Sequence, residues 1–272
     1  MPVVQINGSE LFYHEVGDGP PCLVMHGGLG FDHTHLRPWI DQLGDVLRLI
    51  YYDHRGNGRS GRPLLDTLTY EQFAADADAL RAHLEVETVT VLGFSAGAAI
   101  ALQYALTYPH RVDRLILVGA HPAWDYAGEI TASIARRDPT GTISAAFARA
   151  SPATDAAFAE LVETIMPLYY HRFDAAVNRR FVEQVVWSAS ANARYDHILP
   201  AFDVVDRLRD IRVPTLILVG RDDFITPVAQ GERLRQGIPQ ADLVVFEESG
   251  HMPYVEEPAA FAETVRTWLK TA

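Results

Sequence analysis

The chain has 272 residues, 48% of them hydrophobic, and a formal net charge of -12 at pH 7. That length and apolar content suffice for a large buried core, and they fit one α/β domain with an insertion better than two independent domains. The acidic balance excludes nucleic acid and anionic membrane as main partners, because both select a basic face, and a single cysteine, Cys22, excludes an internal disulfide.

Residues 1–16 alternate polar and apolar side chains and lack the basic start and apolar core of a signal peptide. No apolar run approaches the roughly 20 residues that span a bilayer, so a cytoplasmic location is expected. Asn7-Gly8, between apolar residues 3–6 and 11–16, marks a hairpin. Strands are predicted at 22–25 and 47–52. Cys22 lies in the first of these, beside Leu23, Val24 and Met25, and is expected to be a small core residue. Apolar residues at helical spacing (Phe73, Ala77, Leu80, Leu84) predict a helix over 70–84. A strand at 88–92 leads into Gly93-Phe94-Ser95-Ala96-Gly97 and then a small-residue helix over 98–108. Another strand follows at 115–118.

From 121 to 209 the rhythm changes. Helix formers dominate, no convincing strand occurs, and Pro122, Pro139, Pro152, Pro167 and Pro200 divide the segment. Beyond it, residues 215–219, 228–236, 243–246 and 258–269 read strand, helix, strand, helix. Apolar strands alternating with helices imply a mostly parallel sheet covered on both faces. The expected organisation is a core of residues 1–120 and 210–272, with 121–209 inserted as a helical cap.

A strand, then Gly-x-Ser-x-Gly, then a helix is the signature of a nucleophile elbow. The tight turn exposes the serine hydroxyl, and the helix N-terminus points at the same place. A serine hydroxyl needs a histidine base, and the histidine needs a carboxylate. His251 follows the last strand, in Ser249-Gly250-His251-Met252. Asp222 and Asp223 follow the strand before it. Asp223 is preferred as the acid, with Asp222 as the alternative. The order Ser95, Asp223, His251 is the order of a triad on an α/β-hydrolase sheet. Oxyanion donors are expected from the backbone amides of Ala96 and of Gly28, the latter in His26-Gly27-Gly28-Leu29-Gly30 after the 22–25 strand. His26 is expected to brace that loop. His33 and His35 are expected at the pocket mouth or in solvent. No metal site is expected, nor any cofactor.

Five motifs carry a resemblance to the α/β-hydrolase superfamily. They are His26-Gly27-Gly28, the stretch Asp53-His54-Arg55-Gly56-Asn57-Gly58-Arg59-Ser60, Gly93-Phe94-Ser95-Ala96-Gly97, Gly220-Arg221-Asp222-Asp223 and Gly250-His251. The resemblance implies an eight-stranded, mostly parallel sheet with helices on both faces and a cap over the pocket. It also implies scaffold roles for Asp53, Arg55 and Ser60. Serine at the nucleophile position points to acyl chemistry rather than to the aspartate chemistry of dehalogenases and epoxide hydrolases. The first two motifs are similar to the proline iminopeptidase branch, which usually has proline where Leu29 stands and tryptophan where Ala96 stands. Acidic cap residues hold the substrate amine in that branch. Glu160, Glu163, Asp174 and Glu183 are the available substitutes.

The expected function is hydrolysis of small carboxylic esters or lactones. The alternatives are an iminopeptidase-like aminopeptidase and a cofactor-free perhydrolase of the haloperoxidase type. Pocket residues are expected at Gly27, Leu29, Trp187 and Met252. Among the apolar cap residues Phe147, Phe158, Met166, Leu168, Tyr169 and Trp187, core and pocket positions are not separable from sequence.

Overall fold

The computed structural model describes residues 2–138, 140–147 and 152–271. Pro139 and the side chain of Phe147 lie outside the described residues. Eight strands form one sheet: β1 (Val3–Ile6), β2 (Ser9–Val16), β3 (Pro21–Met25), β4 (Arg48–Tyr52), β5 (Val89–Phe94), β6 (Val112–Val118), β7 (Thr215–Gly220) and β8 (Ala241–Phe246). Their spatial order is β1-β2-β4-β3-β5-β6-β7-β8. β1 pairs antiparallel with β2, and β2 with β4; every later pairing is parallel. The hairpin turns at Asn7-Gly8, where both residues have positive φ, the conformation a two-residue turn of this hand requires.

Alternation along the central strands builds two cores. Leu23, Met25, Val91, Leu115, Leu117 and Ile217 face one side. Cys22, Val24, Leu92, Ile116, Val118 and Leu218 face the other. Among the described residues ten α-helices follow one another: α1 (Tyr70–His83), α2 (Ala96–Thr107), α3 (Ala127–Arg137), α4 (Thr142–Phe147), α5 (Asp155–Ile165), α6 (Ala175–Gln184), α7 (Ala189–Ile198), α8 (Val228–Gly237), α9 (Pro253–Glu256) and α10 (Pro258–Thr271). Phe73 and Leu80 of α1, Ile100 of α2 and Leu234 of α8 fill the first core. Phe261, Val265 and Trp268 of α10 fill the second. Helices α3–α7 all lie between β6 and β7 in the chain. Their connection to the core includes one antiparallel bridge, Ala123 with Asp203. Among the described residues no helix is long and apolar enough to cross a membrane.

Parallel strands leave their carboxyl ends on a common edge, and the segments following β3, β5, β6, β7 and β8 emerge there. Ligands bind at that edge in open α/β sheets.

Candidate active site

At the end of β5 the backbone turns sharply. Ser95 has φ 54° and ψ -118°, a region that costs on the order of 1–3 kcal/mol for a residue with a side chain. Its N–H is tied across to Val118 O at 2.9 Å, and α2 begins at the next residue. The flanking glycines are required on steric grounds. A Cβ on Gly93 would stand 2.5 Å from Gly97 O, and one on Gly97 would stand 2.1 Å from Met25 O. The elbow is therefore packed into the β3 loop, and the first amides of α2 have no partner within the helix.

The loops after β7 and β8 bring an imidazole and a carboxylate together. His251 Nδ1 donates to Asp223 Oδ2 at 2.7 Å, and both side chains are buried. Asp223 is held from three further directions: Ile225 N at 3.0 Å, Thr226 N at 2.9 Å and Thr226 Oγ1 at 2.6 Å. With Nδ1 committed as donor, Nε2 of a neutral His251 is its acceptor. Asp222 points away and pairs with His171 at the surface. The two adjacent aspartates thus have separate fates, and Asp223 is the one on the histidine.

A cavity of about 280 Å³ lies over this edge. Ser95 and His251 both line it, as do Gly27, Gly28 and Met252. Gly28 has φ +60° and sits where a Cβ would meet the Phe31 ring at 2.4 Å. Ala96 is buried at the start of α2 and is not a lining residue. Most of the wall is apolar and aromatic, with Phe31, Phe94, Phe158, Val162, Met166 and Phe181 prominent. The polar exceptions besides the serine and its histidine include His35, His121, Asn192, Tyr195, Asp196 and Thr226.

Several expectations need correction. Leu29 does not line the cavity; it is buried in the core that carries α1 and α2. Trp187 does not line it either, because its indole stands behind the wall, edge-on to Phe31 and Phe158 at 4.9 and 5.2 Å. Leu168 packs in a separate cluster with Tyr126, Ile130 and Phe224, whereas Phe158, Met166 and Tyr169 do line the cavity. His33 and His35 are not in solvent. Both are buried, on a short 3-10 turn capped by Asp32, whose carboxylate accepts from Thr34 N at 2.9 Å. His33 Nδ1 bonds Asp53 Oδ1 at 2.7 Å. His35 Nδ1 donates to Asp32 O, and burial pushes its pKa down to about 3.

The supporting network is dense. His26 Nδ1 donates to Gly27 O at 3.0 Å, while its Nε2 accepts from His54 N at 3.1 Å. The ring is fully buried, and burial lowers its pKa. Arg55 makes a bidentate pair with Asp76, and Ser60 bridges Asp53 O and Phe12 N. On the other side of the cavity the His251 loop is fastened to residues 169–172. His251 N donates to Tyr169 O at 2.7 Å, and the Glu256 carboxylate accepts from Gly250 N, His171 N and Arg172 N. Burial raises the Glu256 pKa.

His121 and Thr226 were missed as pocket residues from the sequence, whereas His35, expected at the pocket mouth or in solvent, lines the cavity. A usable signal exists for His121: it stands three residues beyond the end of β6, at the same sheet edge as Ser95.

Comparison with known proteins agrees with this fold. The family model described as alpha/beta hydrolase fold matches residues 20–258. Proline iminopeptidase PfmaB of Pestalotiopsis fici is 31% identical, over 98% of this chain and 98% of that protein. A thermophilic esterase from Thermogutta terrifontis superposes with a TM-score of 0.79 at 26% identity, over 100% of this chain and 99% of that one. Est816, described as an N-acyl homoserine lactone degrading enzyme, superposes with a TM-score of 0.77 at 23% identity, over 98% and 99%; at that identity the likeness is one of fold. The chain belongs to the α/β-hydrolase family.

Proposed function

We propose that the protein is a serine hydrolase of small carboxylic esters or lactones, working through an acyl-enzyme. Ser95 attacks the carbonyl carbon, and His251 Nε2 takes the hydroxyl proton. Asp223 holds the imidazole in the productive tautomer and stabilises its cation. The amides of Ala96 and Gly28 receive the developing oxyanion. His251 then returns the proton to the departing alkoxide, activates water and completes the cycle. Residues 121–209 act as the cap that covers the acyl group. The observation that carries this reading is the pairing of His251 with Asp223 at 2.7 Å, with His251 and Ser95 lining one cavity. The apolar wall favours an apolar acyl group. The similarity to a protein described as a thermophilic esterase agrees with the reaction class.

An aminopeptidase is the second reading. The proline iminopeptidase of Pestalotiopsis fici favours it. Glu160, Glu163, Asp174 and Glu183 are all exposed and outside the cavity lining, so a substrate ammonium would have to rely on Asp196, the carboxylate of α7 that lines the cavity.

A panel of p-nitrophenyl esters, lactones and proline p-nitroanilide, assayed with wild type and Ser95→Ala, tests both readings. Ester or lactone turnover is expected, and Ser95→Ala should lose at least about 1000-fold in kcat. Turnover of the anilide alone would favour the aminopeptidase. Undiminished ester turnover by Ser95→Ala would remove the serine mechanism altogether.

A further inference from the structure

His121 is an unusual occupant of the cavity. It is 2% exposed, and its ring is packed edge-on against Trp124 and Phe202, with centroids at 5.2 and 5.6 Å. Its Nδ1 donates to Ala123 O at 3.1 Å. That bond fixes the tautomer and leaves Nε2 as a lone-pair acceptor. Among the described residues no group donates to Nε2. The ring lines the same cavity as Ser95 and His251.

Its position follows from the sheet. Val118, the last residue of β6, accepts from Ser95 N at 2.9 Å. Gly119 packs on the imidazole of His251, where a Cβ would lie 2.9 Å from Cε1. His121 follows two residues later. Asn192 and Tyr195, three residues apart and so on one face of α7, line the same cavity. The largely apolar cavity therefore has, besides Ser95 and His251, polar groups from several segments (His35, His121, Asn192, Tyr195, Asp196 and Thr226), and His121 is the one that follows Gly119, which packs on the His251 ring.

We propose that His121 is a specificity-determining residue whose Nε2 accepts a hydrogen bond from an uncharged donor, a hydroxyl or an amide N–H, carried by the substrate. This rests on the serine-hydrolase reading above and names the substrate class within it: esters or lactones bearing such a donor. The neutral form is the one required, and burial holds the His121 pKa down to about 4. A substrate without the donor leaves Nε2 unpaired in the closed complex. Sites built to bond a polar group discriminate by that penalty far more than apolar pockets discriminate by size.

The test compares kcat/KM for p-nitrophenyl butyrate with that for the 2-hydroxybutyrate, 3-hydroxybutyrate and N-acetylglycinate esters, using wild type, His121→Phe and His121→Gln. Wild type is expected to prefer at least one donor-bearing ester by about tenfold or more, and the ester preferred distinguishes hydroxyl from amide. His121→Phe should erase that preference ratio, and His121→Gln, which restores an acceptor, should recover part of it. The ratio is internal to each variant, so a loss of folded protein does not mimic the effect. If His121→Phe does not fold, the wild-type ratio and the His121→Gln ratio decide. Equal wild-type rates on all four esters, or a preference unchanged in His121→Phe, would overturn the assignment alone. A wild type inactive on every ester would overturn the underlying reading as well.

Discussion

Two neighbouring carboxylates show how much of the site is decided at the level of single residues. Asp222 and Asp223 are adjacent and chemically identical, and the spacing from Gly220 does not choose between them. The choice is made by the turn that follows β7. It aims Asp223 at two backbone amides and the Thr226 hydroxyl, which orient its second oxygen on His251. Asp222 is left exposed beside His171. Asp223→Asn is therefore expected to reduce kcat for ester hydrolysis by about 10³- to 10⁴-fold, because an amide stabilises the wrong tautomer and no imidazolium. Asp222→Asn should stay within severalfold. Steady-state kinetics on both variants check this, and the reverse ranking would contradict the pairing. The same scale explains the misplaced residues. Leu29 and Trp187 are apolar residues near the right loops, but apolar character alone does not say which side of a wall a ring occupies. His33 and His35 look like surface histidines until the Asp32 cap folds them inward.

At the scale of elements the sequence was far more legible. Every strand and helix expected outside residues 121–209 is present, because each carries a continuous apolar run, apolar residues at helical spacing or, in the N-terminal hairpin, an Asn-Gly turn between alternating residues. The strand ends were less visible. β6 begins at Val112, three residues before the expected start, because Asp113 and Arg114 are polar yet still extended. β8 similarly begins at Ala241. Periodicity registers burial, and among these first residues Asp113 and Asp242 are exposed while Arg114 and Ala241 are half-buried. The 3-10 turns at His33–Leu36 and Ile40–Asp45 carry no periodic signal at all. They come from a side-chain cap and from packing against the sheet. The element that fastens residues 169–172 to the His251 loop was equally hidden, since it depends on Glu256, a residue that looks like any surface glutamate in the sequence.

The whole molecule carries a consequence of its histidines. His26, His35, His54 and His121 are all buried, and burial lowers the pKa of each. The unfolded chain would protonate them near pH 6.5. Below that pH the unfolded state binds more protons than the folded state, so stability must fall as pH drops, down to about 4 for His121 and about 3 for His35. Each neutral histidine steepens the loss by up to about 1.4 kcal/mol per pH unit in that window. Thermal melts are expected to show Tm falling steadily from pH 6.5 to pH 4, with little change between pH 7 and pH 8 from these groups. A flat Tm down to pH 4 would mean that these rings are not held neutral in the folded state.

The most direct measurement is covalent labelling of the wild-type protein with a fluorophosphonate, followed by peptide mass spectrometry. The expected result is one stoichiometric adduct, on Ser95, formed rapidly by wild type and at a greatly reduced rate by Asp223→Asn. No adduct, or an adduct at another residue with Ser95 unmodified, would contradict the assignment of Ser95 as a nucleophile activated by His251 and Asp223.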